Sequence, residues 1–172
     1  MKKSAVIIFL GSEKDRQMAE RIITFWKKNN FDICFEVRAL SAHKAAEKVL
    51  DAVKEYEKRF ESLVFIAIAG RSNALGPLIA GHSRFPVINC PVLQENFGFI
   101  DLFSSMRMPS NVPCSTVLDP ENAALHAAKI LSLTDKKLFN LIEKYMEKTV
   151  KEILESDSLI KKEFGKNECF NN

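Results

Sequence analysis

Histidine is the side chain that titrates near neutrality, and this sequence of 172 residues contains three of them: His43, His82 and His126. His43 stands in the run Ser41-Ala42-His43-Lys44, directly after an apolar segment. A proton carrier is thus flanked by a hydroxyl and an ammonium, both suited to phosphate. Two more polar clusters follow apolar runs in the same manner. Gly11-Ser12-Glu13-Lys14-Asp15 precedes a helical pattern, and a helix N-terminus offers free amides and a favourable dipole to an anion. Asp15 would repel a phosphate, so as a ligand it would accept from sugar hydroxyls; Ser12 or Asp15 would equally serve as a helix cap. Gly70-Arg71-Ser72-Asn73 joins a residue that admits close backbone approach to side chains that donate, or else forms a turn with an Asn-capped helix. His82 lies in a loop and could line a site, whereas His126 falls inside a helical pattern and reads as structural. Asn89-Cys90-Pro91 and Ser105 to Pro109 are candidates for further walls. Cys90 has no base partner in the sequence and reads as a buried thiol rather than a nucleophile.

These clusters need elements that bring them together. Ser4 to Leu10 and Leu63 to Ala69 are continuously apolar, the pattern of strands buried on both faces. Phe31 to Arg38, Phe85 to Cys90 and Ser115 to Leu118 read as further strands. Helical spacing links Met18, Ile22, Ile23, Phe25 and Trp26, and again Ala46, Val49, Leu50, Val53 and Tyr56. Shorter helices are expected over Ala74 to Ala80 and around Phe97 to Met106. Asp119-Pro120-Glu121 opens another, with Asp at the cap and Pro at the first helical position. Strands alternating with helices imply a parallel sheet covered on both sides. The expected architecture is an α/β, three-layer αβα sandwich of the flavodoxin-like kind. In such a sheet ligands bind beyond the carboxyl ends of the strands, where the strand order reverses. All three polar clusters would converge there.

Composition narrows the partners. Lys plus Arg total 25 against 22 Asp plus Glu, an even balance that argues against a nucleic-acid surface. Cys34, Cys90, Cys114 and Cys169 form no CxxC pair, so no structural metal site is expected, and scattered thiols suit a reducing compartment. The apolar start is short and runs into Gly11 and charge, unlike a signal peptide, and no stretch has the length of a membrane span. A soluble, cytoplasmic protein is the expectation. Neither the GxxxxGK[ST] loop nor the GxGxxG fingerprint occurs.

The last third is different. From Asp135 to about Phe164 apolar residues recur at helical spacing through Leu138, Leu141, Ile142, Tyr145, Met146, Val150, Ile153, Leu154 and Ile160. One long helix is expected, with a break near Asp157 and a frayed tail after Gly165. It is longer than a domain of this size needs, so it either packs along its own domain or reaches onto a neighbouring subunit. The catalytic unit is accordingly placed at 1–134 and a helical extension of the same domain at 135–172.

The ordered segments Gly11 to Asp15, Ser41 to Lys44, Ala69 to Pro77, Pro86 to Pro91 and Ser104 to Ser110 resemble the PurE family of purine biosynthesis, over roughly Val6 to Ser132. Gly70-Arg71-Ser72-Asn73 and Lys44 resemble its class II branch, the phosphoribosylaminoimidazole carboxylases. The resemblance implies reversible carboxylation of aminoimidazole ribonucleotide by CO2 in a homo-octamer or homo-tetramer, with no metal, biotin or ATP. It implies that His43 shuttles the proton, that Ser12, Ser41 and Lys44 hold the phosphate, that Asp15 holds the ribose hydroxyls, and that Gly70 and Ser72 meet the base or carboxylate. The chain departs from the family at Lys14, where many relatives carry a hydroxyl, and at Gly81-His82-Ser83-Arg84. Two alternatives stand beside this one: the class I mutase, which moves a carboxylate from the exocyclic nitrogen to the ring carbon, and a non-catalytic nucleotide-binding module.

Overall fold

A computed structural model of the chain describes residues 2–93 and 100–164. Five parallel strands form the sheet: β1 (Lys2–Leu10), β2 (Phe35–Ala39), β3 (Phe60–Ile68), β4 (Val87–Asn89) and β5 (Ser115–Thr116), in the order β2-β1-β3-β4-β5. The helices are α1 (Arg16–Lys28), α2 (Ala42–Arg59), α3 (Leu75–Ala80), α4 (Ile100–Met106), α5 (Pro120–Ser132) and α6 (Lys136–Phe164). This is the flavodoxin-like order, and it reverses between β1 and β3.

Alternation along the central strands builds two cores. Val6, Ile8 and Leu10 of β1, with Val64, Ile66 and Ile68 of β3, face Ile22 and Trp26 of α1 and the alanine face of α5 (Ala123, Ala124, Ala127, Ala128). The other face carries Ala5, Ile7 and Phe9 with Leu63, Phe65 and Ala67 against Val49, Val53 and Tyr56 of α2 and Leu75 and Ile79 of α3. Both strand faces are covered, which explains the unbroken apolar runs. Alanines on α5 let it lie close to α1, and the buried Trp26 Nε1 donates to Ala124 O at 2.9 Å. At the start of α5, Asp119 accepts from the Asn122 N–H at 2.9 Å, with Pro120 following.

Three expectations are corrected. The second strand begins at Phe35, not Phe31, because Phe31 and Ile33 plug the core beside α1 and α6 before the chain enters the sheet. The fifth strand is limited to Ser115–Thr116. No break interrupts α6 near Asp157: Ser156 and Ser158 return their hydroxyls to Glu152 O and Leu154 O, and Asp157 pairs with Lys161 at 2.8 Å. The serine hydroxyls are accommodated on the continuing helix, and the i,i+4 ion pair supports it. The tail after Gly165 and the start of the helix expected around Phe97 lie outside the described residues.

The first part of α6 is anchored by buried Leu138 and Ile142, with Leu141 and Tyr145 packed on the same core. Beyond that, Val150, Ile153, Leu154, Leu159 and Ile160 stand 54–66% exposed.

Candidate functional site

The loops after β1, β2 and β3 meet at the carboxyl edge of the sheet, beside the reversal point. They enclose a cavity of about 450 Å³. The first loop contributes Gly11, Ser12, Lys14 and Asp15; the second, Ser41, Ala42, His43 and Lys44; the third, Ala69, Gly70, Arg71 and Ser72. Every residue to which the family resemblance gives a binding or reacting role therefore lines it. Sheet ladders run up to its rim, with Gly11 N–H donating to Ile68 O at 2.8 Å and Leu40 N–H to Leu10 O at 2.9 Å.

Local structure decides which side chains remain available. After β1 a short 3-10 turn (Glu13–Asp15) precedes α1, and Ser12 caps it by accepting from the Lys14 N–H at 3.3 Å. Its hydroxyl hydrogen is not used by that bond. Asp15 stands at the N-cap of α1 but makes no side-chain cap bond, and Ser41 stands at the N-cap of α2 likewise. Residues of the types that ordinarily cap are thus left for another partner. Burial pushes the Asp15 carboxyl up from its ordinary value, with a backbone hydrogen bond from Ser12 opposing part of that rise. In α2, Ala45 leaves helical geometry (φ −147°, ψ 45°), so His43 and Lys44 occupy a first turn that is offset from the rest of the helix. Both are exposed to the cavity side.

The third loop is held tightly. Arg71 adopts φ 52°, a left-handed backbone. Asn73, which the sequence offered as a ligand donor, belongs to the scaffold instead: it is buried, donates from Nδ2 to Ser105 Oγ at 3.0 Å, and accepts the Gly76 N–H at 3.1 Å. Its partners on α4 lie about thirty residues away (31 and 32), which is why local pattern could not assign it. Ser105, Arg107, Asn89 and Cys90 are not among the residues that line the cavity. Cys90 is buried, and burial pushes its thiol up to about 12, so it is not a thiolate near neutrality. Cys34 and Cys114 are half-buried, while Cys169 lies outside the described residues.

The remaining histidines are elsewhere. His82 turns back to its own helix, with Nδ1 donating to Leu78 O at 2.8 Å, and His126 sits 3.3 Å from Ser115 Oγ. Among the described residues no helix is long and apolar enough to cross a membrane, and no group of three or more His, Cys, Asp or Glu side chains could hold a metal ion. A larger hollow of about 700 Å³ between α1 and α6 contains none of the expected site residues.

The cavity's charge favours an anion: Lys14, Lys44 and Arg71 face one carboxylate, Asp15. The His43 imidazole on its wall adds a group that can take or give a proton.

Comparison with known proteins identifies the family. The AIR carboxylase family profile matches residues 5–152. A phosphoribosylaminoimidazole carboxylase of Treponema denticola is 43% identical over 157 residues, covering 91% of this chain and 98% of that one. A Drosophila melanogaster bifunctional phosphoribosylaminoimidazole carboxylase/phosphoribosylaminoimidazole succinocarboxamide synthetase is 45% identical over 132 residues, covering 77% of this chain but only 30% of that longer protein. The crystal structure of Treponema denticola PurE superposes with a TM-score of 0.87 at 42% identity, covering 92% of this chain and 99% of that one.

Proposed function

The chain belongs to the AIR carboxylase family of purine biosynthesis, and from that membership we propose that it is a phosphoribosylaminoimidazole carboxylase of the class II type. It reversibly joins CO2 to the ring carbon of aminoimidazole ribonucleotide, giving carboxyaminoimidazole ribonucleotide. The observation that carries the carboxylation chemistry is a single cavity lined by His43 together with Ser12, Asp15, Ser41, Lys44, Gly70 and Ser72, and the class II choice rests on Lys44 and the run Gly70-Arg71-Ser72-Asn73.

The aminoimidazole ring is enamine-like, so its electron pair attacks the carbon of CO2 without prior activation. One C–C bond forms, and one C=O π pair moves onto oxygen as carboxylate. The ring carbon then bears both hydrogen and carboxylate. Neutral His43 takes that proton, the C–H pair restores the aromatic ring, and His43 leaves as imidazolium. Decarboxylation runs the same steps backwards, with the imidazolium returning the proton. No further reactant enters the balance.

The remaining residues position. Ser12, Ser41 and Lys44 hold the phosphate, and Lys14 adds a second ammonium to that end. Asp15 accepts from the ribose hydroxyls. Gly70 and Ser72 meet the carboxylate and base. Gripping the phosphate far from the reacting carbon supplies orientation.

In this reading the working protein is a homo-oligomer, octamer or tetramer, in the cytoplasm. The exposure of His43, Lys44, Arg71 and Ser72 in one chain supports it, because water exclusion requires a cover. So does the apolar, uncovered part of α6.

The test is His43→Asn. Decarboxylation of carboxyaminoimidazole ribonucleotide is expected to fall by a factor on the order of 10² to 10⁴ in kcat, while aminoimidazole ribonucleotide binding by calorimetry changes little. Equal loss of binding and turnover would make His43 structural and would defeat the proposed role.

A further inference from the structure

Ser72, on the cavity wall, is gripped from both sides by a single hydroxyl. The carbonyl that precedes it, Arg71 O, lies 3.1 Å from Ser104 Oγ, and the amide that follows it, Asn73 N–H, donates to the same oxygen at 2.9 Å. Ser104 belongs to α4, where its hydroxyl also lies 2.7 Å from Asp101 O. Its one hydrogen is shared between the two carbonyls, and its lone pairs take the amide. Arg71 needs such a hold, because its φ of 52° is a region that a Cβ disfavours. Release of the Arg71 carbonyl would let the loop relax toward ordinary backbone and would carry Ser72 with it.

The next residue anchors the clamp to the sheet. Ser105 is buried; its Oγ accepts from Asn73 Nδ2 at 3.0 Å, and its backbone oxygen accepts from Thr116 Oγ1 of β5 at 2.8 Å. Asn89 Nδ2 of β4 reaches that oxygen more weakly, at 3.4 Å. Strands β4 and β5 thus hold α4, and α4 holds the third loop. Among the described residues no such hydrogen bond ties α4 to the first two loops, which carry the phosphate-binding candidates.

We propose that Ser104 is a positioning residue for the carboxylate end of the site, acting through the backbone on either side of Ser72. This rests on the proposed role of Ser72 toward the carboxylate. A supporting residue that fixes a contact residue's backbone affects ligands only through the groups that contact serves. Ser104 therefore distinguishes the carboxylated ribonucleotide from its uncarboxylated partner, although it touches neither.

The experiment compares wild type, Ser104→Ala and Ser104→Thr. Initial rates of decarboxylation give kcat and KM for carboxyaminoimidazole ribonucleotide, and product inhibition gives the affinity for aminoimidazole ribonucleotide. Ser104→Ala is expected to raise KM about tenfold while changing product affinity by no more than about threefold. Ser104→Thr, which keeps the hydroxyl, is expected to restore most of the difference. Equal weakening toward both ribonucleotides, or a lower melting temperature with no change in their ratio, would assign Ser104 a merely structural role and overturn the proposal. Unchanged kinetics in Ser104→Ala would overturn it as well. A wild-type protein that decarboxylates nothing would instead defeat the functional reading on which it rests, a result visible before any variant is compared.

Discussion

Asp15 shows how a binding site is carried at a cost to the fold. It occupies the N-cap of α1, where carboxylates usually cap, yet its side chain makes no cap bond and burial raises its carboxyl above the ordinary value. A raised carboxyl means that the native state holds its proton more firmly than the unfolded chain does. Between the ordinary and the raised values the folded protein binds more protons, so Asp15 lowers stability as pH rises through that window. Above the window the cost is complete; below the ordinary aspartate range it vanishes. The ligand-free Asp15→Asn protein is therefore expected to melt slightly higher than wild type at pH 7 and to lose that advantage as pH falls. Melting curves across the acid range check this. A variant less stable than wild type at neutral pH would mean that the carboxylate is a structural anchor. The same substitution is expected to weaken ribonucleotide binding, because an amide is a poorer acceptor for the ribose hydroxyls. His43 sits a loop away and is judged by the turnover of His43→Asn set out above.

At the scale of elements, α3 packs against β4 with Gly76 close to Asn89. A Cβ built on Gly76 would lie 1.7 Å from Asn89 Oδ1, an oxygen that is buried and without a hydrogen-bond partner among the described residues. Neither side can retreat without disturbing the web that runs from Asn89 and Thr116 through Ser105 to Asn73. Gly76→Ala is expected to cost about 1 to 3 kcal/mol, seen as a lower midpoint in urea with an unchanged slope. A midpoint equal to wild type would show that α3 shifts freely. What could be read in advance follows the range of the interactions. Strands buried on both faces and the helices between them are written in local apolar pattern, and the three loops at the reversal point follow from their order. Contacts between distant segments are not written there. Asn73 looked like a ligand donor because its α4 partners are far along the chain. Phe31 and Ile33 looked like strand because an apolar plug and a strand share the same residue types. Ser156-Asp157-Ser158 looked like a break because polar composition does not reveal hydroxyls folded back onto the helix.

For the whole molecule, α6 is the element that one chain leaves unfinished. Phe139, Ile142, Met146 and Val150, with Leu133, line an apolar groove of about 740 Å³, and the exposed residues beyond it continue the same character. In the proposed homo-oligomer this face is covered by a neighbour, and the catalytic cavity is closed along with it. The double variant Met146→Glu, Val150→Glu is expected to sediment as a smaller species than wild type and to lose most turnover while keeping its circular dichroism. An unchanged sedimenting mass would remove α6 from the assembly. Whether the molecule uses CO2 itself is decided by substrate choice, since the class I mutase would present the same fold and the same histidine. Purified protein is given aminoimidazole ribonucleotide with bicarbonate and dissolved CO2, without ATP, and separately the isomer carboxylated on the exocyclic nitrogen. The predicted result is carboxyaminoimidazole ribonucleotide from the first mixture; turnover of the N-carboxy isomer with none from the first mixture would contradict it.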